Sequence, residues 1–346
     1  MTDWRPTATR ATLETRARML AIIRRFFADR GVLEVDTPIV VNAPVTDVHV
    51  HSARVTLDEA QSGDTYFLHT SPEYAMKRLL ASGSGDIFQI CHVVRGFERG
   101  RLHNSEFALI EWYRVGFSLE QLMDEVETLV REVLTGAQAG SERGGLDAAS
   151  AVARVSRSRS AQSGPVAQRL AYRDVFLQHL QTDPLTVSDA ELARLAGELG
   201  YQAGPCTGRD EYLDFLMGAA IGPRLGAGSL VFVHGYPASQ AALARIDPAD
   251  PRTALRFELY CDGVELANGF HELSSAAQQR QRFESDLAER RRLGLPVYPL
   301  DERLLTALAS GLPDCAGVAL GFDRLLMLAT RARSIDEVLA FPTQRA

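Results

Sequence analysis

Three segments far apart in the chain carry polar side chains at spacings that suit phosphate and ammonium chemistry. The first, Cys91 to Arg114, reads CHVVRGFERGRLHNSEFALIEWYR. Val93 to Arg95 has the character of a strand end, Gly96 to Asn104 of a polar loop, and Phe107 to Tyr113 of a returning strand. The two-residue period of a strand puts Phe107, Leu109, Glu111 and Tyr113 on one face. There a nucleotide base could stack on Phe107 while Arg95, Arg101 and His103 meet its phosphates. The same residues also suit an ordinary surface hairpin.

The second segment, Phe257 to Leu273, reads FELYCDGVELANGFHEL. Asp262-Gly263 between two apolar runs signals a hairpin turn. Glu258 and Glu265 bracket that turn, and Asn268 and Glu272 follow. Gly269 permits a bulge or a close backbone approach, which would bring Glu272 round to join Glu265. Hard oxygen ligands at this density suit magnesium carrying ATP phosphates, although an exposed acidic hairpin reads the same way. The third segment is GVALGFDRLLML, Gly317 to Leu328. Small residues lead into an Asp-Arg pair, glycine admits a ligand close to the backbone, and Arg324 opens a helix beside it.

Other routes to such chemistry are closed. A P-loop needs Gly-Lys-Ser/Thr, and Lys77, the only lysine, is followed by Arg78. The chain has no GxSxG elbow and no HExxH pair.

Several elements must position these groups. Leu13, Ala17, Leu20, Ile23 and Phe27 mark an amphipathic helix, with Gly31 as its stop. Val32, Leu33, Val35, Ile39 and Val40 read as strand interrupted by Thr37-Pro38, and a second helix runs from about Leu119 to Leu134. From Gly136 to Pro165 the residues are mostly Ala, Gly, Ser and Arg. Such a stretch buries too little apolar surface to order itself, so a flexible insertion is expected at about residues 136–168. Its RVSRSRS piece reads as a solvated loop or a basic contact. Regular structure resumes near Leu170.

The bulk numbers bound the rest. At 346 residues, 46% hydrophobic and 23% charged, the chain can bury a sizeable core. A net charge of −7 argues against a large nucleic-acid footprint. No apolar run of about 18 residues or more is present, and the N-terminus lacks a signal-peptide core. Four scattered cysteines, Cys91, Cys206, Cys261 and Cys315, suggest reduced thiols and a cytoplasmic protein. Lys77 stands alone among 37 Lys and Arg residues. Codon composition accounts for that; the sharper reading is a site where a guanidinium fork cannot replace an ammonium.

Taken together, these segments resemble the class II aminoacyl-tRNA synthetases. Thr37-Pro38 after a long helix, Arg95 with His103 and Phe107, and Gly321-Phe322-Asp323-Arg324 look like motifs 1, 2 and 3. Ser71-Pro72-Glu73, His103-Asn104-Ser105-Glu106-Phe107 and Glu265 to Leu273 are similar to the lysyl-tRNA synthetase branch, and in particular to its shortened paralogues. The likeness covers roughly residues 10–135 and 170–346. It implies an α+β fold, a class II catalytic core with an antiparallel sheet flanked by helices, in one domain over 1–346. No anticodon-binding barrel has room before the first helix.

The resemblance also implies an activity: ATP-dependent activation of beta-lysine or lysine as an adenylate. The shortened branch passes the acyl group to a lysine of elongation factor P, so that protein is the implied acceptor. Stable tRNA binding is not expected; charging of tRNA or a small acceptor, or a non-catalytic regulatory role, are the alternatives. Arg95 would hold the α-phosphate and Arg324 the γ-phosphate, as the catalytic pair. Asn104 would place the nucleotide and Phe107 stack on adenine, with Gly96, Phe97, Glu98, His103, Glu265, Leu266 and Gly321 completing the ATP site. Glu258 and Glu265 would bind Mg2+. Glu73, with Ser71 and Pro72, would take the substrate's backbone amine, and Glu111, Tyr113 and Glu272, with Asn268 nearby, its terminal ammonium. Ala319 stands where lysyl-tRNA synthetases carry glycine, and its methyl would reshape that pocket. The motif 1 helix implies a homodimer. One departure stands out: the family's Phe-Arg-Asn-Glu is here Val94-Arg95-Gly96-Phe97, with Glu98 following.

Overall fold

The computed structural model describes residues 4–57, 65–139, 166–204 and 208–346. Helix α1 (Arg10–Ala28) starts where Thr9 Oγ1 accepts the Thr12 amide at 3.1 Å, and it ends before Gly31, whose φ of +69° turns the chain back. Its apolar stripe buries Met19, Ile22, Ile23, Phe26 and Phe27. The following apolar run is not one strand. Leu33–Glu34 (β1) and Val40–Val41 (β2) enter different sheets. Pro38 lacks an amide donor, so the ladder cannot continue through it.

The central sheet has eight strands in the order β1, β5 (Ile87–Val94), β6 (Glu106–Val115), β11 (Cys315–Gly321), β10 (Val264–His271), β9 (Arg256–Cys261), β8 (Leu230–His234) and β7 (Gln168–Ala171). Its interior is antiparallel, as expected. The outermost pairs, β1 with β5 and β7 with β8, are parallel. A separate three-stranded sheet joins β2, β4 (Tyr66–Leu68) and β3 (Arg54–Val55).

One face of the large sheet is dry. Helices α1, α3 (Leu119–Ala139) and the helix over Phe322–Thr330 cover it, burying Ile110, Trp112, Phe232, Leu259 and Leu320 among others. Phe27 stacks on Phe88 at 4.4 Å and meets the edge of Trp112 at 5.3 Å. Each such side chain contributes roughly 1.5–3 kcal/mol when fully buried. Every second strand residue is spent on this face, so the alternate residues are left for the other.

α3 runs past its expected end. Gly136 packs against Ile22, and Ala137 is buried, so the first residues of the expected insertion are helix. Alanine is the best helix former, and the apolar cover of α1 outweighs the small-residue composition. The remainder of the expected insertion, 140–165, lies outside the described residues, whereas Gln168 already opens β7.

Candidate active site

The first hairpin forms as expected, with Val94 opposite Glu106 and Gln89 opposite Glu111. Ala108, Ile110 and Trp112 point into the dry core, so Phe107, Leu109, Glu111 and Tyr113 take the open face. At the strand end Arg95 donates from Nε to the Thr70 carbonyl at 3.2 Å, and its guanidinium carbon lies 5.2 Å from the Phe107 ring centre. Glu98 stands 3.9 Å away. Asn104 is buried; its amide nitrogen donates to the Glu106 carbonyl at 2.6 Å and its oxygen accepts the Thr343 amide at 3.2 Å. It therefore shapes the loop through backbone groups.

Two expected nucleotide contacts lie elsewhere. Phe97 is 91% exposed in the left-handed region, φ +63°, with its ring 5.2 Å from His51. Gly96 donates its amide to the His51 carbonyl at 2.7 Å. Neither is among the residues lining the cleft with Arg95, Glu98 and Phe107.

The second hairpin turns at Asp262 (φ +49°) and Gly263 (φ +72°), the paired positive angles of a type I′ turn. Its bulge lies between Glu265 and Ala267, at Leu266, and not at Gly269. Glycine at 269 instead admits the Phe257 ring, which a Cβ would meet at 2.4 Å. The bulge changes strand parity. Glu265 lies opposite Tyr260 and Asn268 opposite Glu258, so an odd and an even residue share the open face.

The two proposed metal carboxylates differ. Glu258 is buried and fully engaged, its Oε1 2.5 Å from Arg256 and its Oε2 accepting from Tyr260 at 2.6 Å. Burial pushes its carboxyl up, and Arg256 opposes the shift. The Glu265 side chain is 40% exposed and reaches Arg324 at 3.4 Å. Among the described residues no three metal-ligating side chains gather.

Gly321 ends β11, and the helix over Phe322–Thr330 starts there. Arg324 donates to the Glu265 carbonyl at 2.9 Å and to the Leu102 carbonyl at 3.3 Å, and lies 2.6 Å from His103 Nε2. Burial and the Arg324 charge both lower the His103 pKa, so the imidazole stays neutral and can accept from the guanidinium. Asp323 is structural. It is 1% exposed, accepting Ala108 N at 2.6 Å and pairing with Arg16 at 2.5 Å.

Beside the arginine-lined cleft lies an acidic pocket. Ser71 Oγ and the Tyr113 hydroxyl each donate to Glu111 at 2.7 Å. Pro72 caps α2 (Glu73–Ala81), which presents Glu73 and, one turn on, Lys77. The Lys77 ammonium sits 2.5 Å from Glu73 and 2.6 Å from Glu272. Burial raises Glu111 to about 7, with Glu73 adding to the shift. Burial raises Glu272 to about 8, which Lys77 opposes. Ala319 lies between Glu111 on β6 and Asn268 on β10, and it also lines the arginine cleft. Ala319 thus stands between the cleft and the acidic cluster.

Three participants escaped the sequence reading. Gly317 forms the pocket wall, where a Cβ would stand 2.3 Å from the Tyr113 ring and 2.6 Å from Glu272. A glycine inside a strand was its only signal. Arg256 bridges Glu258 and, at 3.2 Å, Asn268; its spacing of two from Glu258 placed them on one face. Thr70 contributes only a carbonyl, for which no sequence signal exists. Cys91, Cys261 and Cys315 are free thiols, as expected, while Cys206 lies outside the described residues.

Comparison with known proteins agrees with this geometry. The family described as tRNA synthetases class II (D, K and N) matches residues 1–345. A Pectobacterium carotovorum protein named elongation factor P–(R)-beta-lysine ligase is 45% identical over 349 residues, covering 100% of this chain and 99% of its own length. The Vibrio cholerae protein of that name is 45% identical, with 99% of each chain covered. The one from Vibrio vulnificus is 46% identical, with 98% of each covered.

Proposed function

The chain belongs to the class II tRNA synthetase family (D, K and N), and from that premise we propose that it is an ATP-dependent ligase joining (R)-beta-lysine to a lysine side chain of elongation factor P. One observation carries the substrate side of this reading: Glu73 and the buried Glu111 and Glu272 gather about Lys77, and Glu111 lies across the ladder from Ala319, which lines the same cleft as Arg95 and Arg324. An amino acid with two ammonium groups needs acidic partners at both ends, because an unpaired buried charge is costly. Its own carboxylate then points towards Arg95.

The reaction has two steps. The substrate carboxylate attacks the ATP α-phosphorus, the bond to the β-phosphate oxygen breaks, and pyrophosphate leaves. Arg95, steadied by the Thr70 carbonyl and Phe107, offsets charge at the α-phosphate. Arg324, held by Glu265, Leu102 and His103, receives the far end of the triphosphate. Glu265, and Glu258 on giving up its bond to Arg256 or Tyr260, would hold Mg2+, which supplies further neutralisation of the phosphates when bound. The acceptor amine, in its neutral form, then attacks the acyl carbon, AMP departs with the electron pair of the mixed anhydride, and the proton lost from the nitrogen passes to solvent. Positioning and fixed charge suffice for both steps.

We also infer a homodimer. Leu13 on α1 and Leu33 on β1 remain 37% and 55% exposed, apolar surface that a second copy would cover. No described helix is long and apolar enough to cross a membrane, and we assign the cytoplasm as the working compartment.

The test is ATP–pyrophosphate exchange by the purified chain with (R)-beta-lysine, alpha-lysine and leucine, followed by transfer to elongation factor P or tRNA. Exchange that depends on a lysine isomer and acylation of the factor are the expected results. Exchange with leucine alone, or acylation of tRNA alone, would overturn the assignment.

A further inference from the structure

One buried cation has no part in the reaction as described. Lys77 is the chain's only lysine and is 1% exposed. Its ammonium bridges carboxylates from two different elements, Glu73 at the start of α2 and Glu272 just after β10. An ammonium is a compact point charge whose donors spread tetrahedrally, so it can join two groups that approach from different sides. A guanidinium is wider and planar and favours one carboxylate taken with both prongs. A chain that uses arginine at every other basic position thus retains an ammonium where a fork would wedge the pocket apart.

Charge balance points the same way. Glu73, Glu111 and Glu272 are three carboxylates in one cluster, and when all three are ionised Lys77 offsets one of them. The remaining two match the two ammonium groups of a lysine isomer. An amino acid with one ammonium leaves a buried carboxylate unpaired. We propose that Lys77 is a positioning residue for substrate recognition: it pins Glu73 and Glu272 in place and sets the pocket's charge deficit at two, so that only a dication fits. This rests on the proposed activation of beta-lysine.

The titratable groups facing Lys77 are Glu73 from α2, Glu272, Glu111 from β6 and Cys315 from β11. Arg245 lies beyond them, donating to the Glu272 carbonyl at 2.8 Å. Burial disfavours the Lys77 charge, yet Glu272 and Glu73 outweigh it and hold its pKa above the ordinary value. It therefore stays charged across the working pH range, and the neighbouring carboxylates do the titrating.

The experiment compares the full-length chain with its Lys77→Met and Lys77→Arg variants in pyrophosphate exchange. For Lys77→Met the KM for beta-lysine is expected to rise by about 30-fold or more, as when one partner of a buried charge pair is lost, while the KM for ATP holds. Without the cation the carboxylates ionise less readily, so the acid limb of kcat/KM should move up by roughly one pH unit. Lys77→Arg keeps the charge and loses the geometry, so KM should rise with the acid limb unmoved. A purely structural role would lower kcat evenly at every pH. Lys77→Met with unchanged KM for beta-lysine overturns the proposal, as does a wild-type KM in Lys77→Arg, which also decides the matter should Lys77→Met fail to fold. No lysine-dependent exchange in the wild-type chain would instead count against the activity itself.

Discussion

Arg324 reaches back across the cleft to Glu265, donating to its backbone carbonyl at 2.9 Å and meeting its carboxylate at 3.4 Å. The arginine assigned to the γ-phosphate and a carboxylate assigned to magnesium are thus neighbours from opposite sides of the bulge. Under the proposed assignment both groups would face a metal-bound triphosphate, and in the structure each restrains the other. Removing divalent ions should bring pyrophosphate exchange to background. Glu265→Gln should raise the magnesium requirement by about 10-fold or more, the scale of losing a group that supports a metal site. An unchanged magnesium titration in that variant would remove Glu265 from the site.

In the proposed mechanism Arg95 is the cation at the reacting phosphorus. Arg95→Ala should slow adenylate formation by about 100-fold or more, comparable to losing a preorganised donor to a developing anion. Among the described residues its side-chain partners are the Thr70 carbonyl, the Glu98 carboxylate and the Phe107 ring, so the fold should survive. Pyrophosphate exchange near the wild-type rate would contradict the role.

Ala319 faces Glu111 across one ladder and Asn268 across the other, and it lines the arginine cleft. Its methyl group bears on where the substrate amine can sit, and one methyl discriminates by about 1–3 kcal/mol. Ala319→Gly should therefore shift the ratio of alpha- to beta-lysine activation by roughly tenfold, since about 1.4 kcal/mol is a factor of ten. If the ratio stays fixed, isomer choice lies elsewhere.

The acidic pocket makes substrate use pH-dependent. Burial raises Glu111 to about 7 and Glu272 to about 8, so both are largely protonated in mild acid and ionise as pH climbs through that range. Only the ionised forms pair with ammonium groups, so kcat/KM for beta-lysine should rise between those values. Stability runs the opposite way. The folded state binds these protons more tightly than the unfolded chain, whose carboxylates titrate near about 4.3, so stability falls as pH rises from there towards 8. Thermal melts of wild type and Glu111→Gln, without substrate, should show a shallower decline in the variant. Equal slopes would show that Glu111 does not titrate in this window.

Asp323, the sequence neighbour of Arg324, binds the protein itself. Its carboxylate joins Arg16 of α1 to the Ala108 amide of β6. Asp323→Ala leaves that amide without a partner and Arg16 without its counter-ion, and should cost about 3–5 kcal/mol of stability. Denaturant unfolding measures this directly; a loss below about 1 kcal/mol would place the carboxylate among solvent-screened pairs.

Local chemistry is legible in the amino-acid sequence by itself. Apolar spacing locates α1, Asp262-Gly263 locates the second hairpin, and strand period places Glu111 and Tyr113 on the open face. Each of these depends on neighbours within a few residues, and a linear pattern records such relations directly. The tertiary structure alone decided the rest. It put the bulge at Leu266, turned Phe97 out of the cleft, tied up Glu258 with Arg256, and seated Lys77 between Glu73 and Glu272. Glu73 and Glu272 are almost two hundred positions apart, and what holds them together is packing of a helix against a sheet. A buried charge finds its partner in three dimensions, and no spacing along the chain encodes that distance.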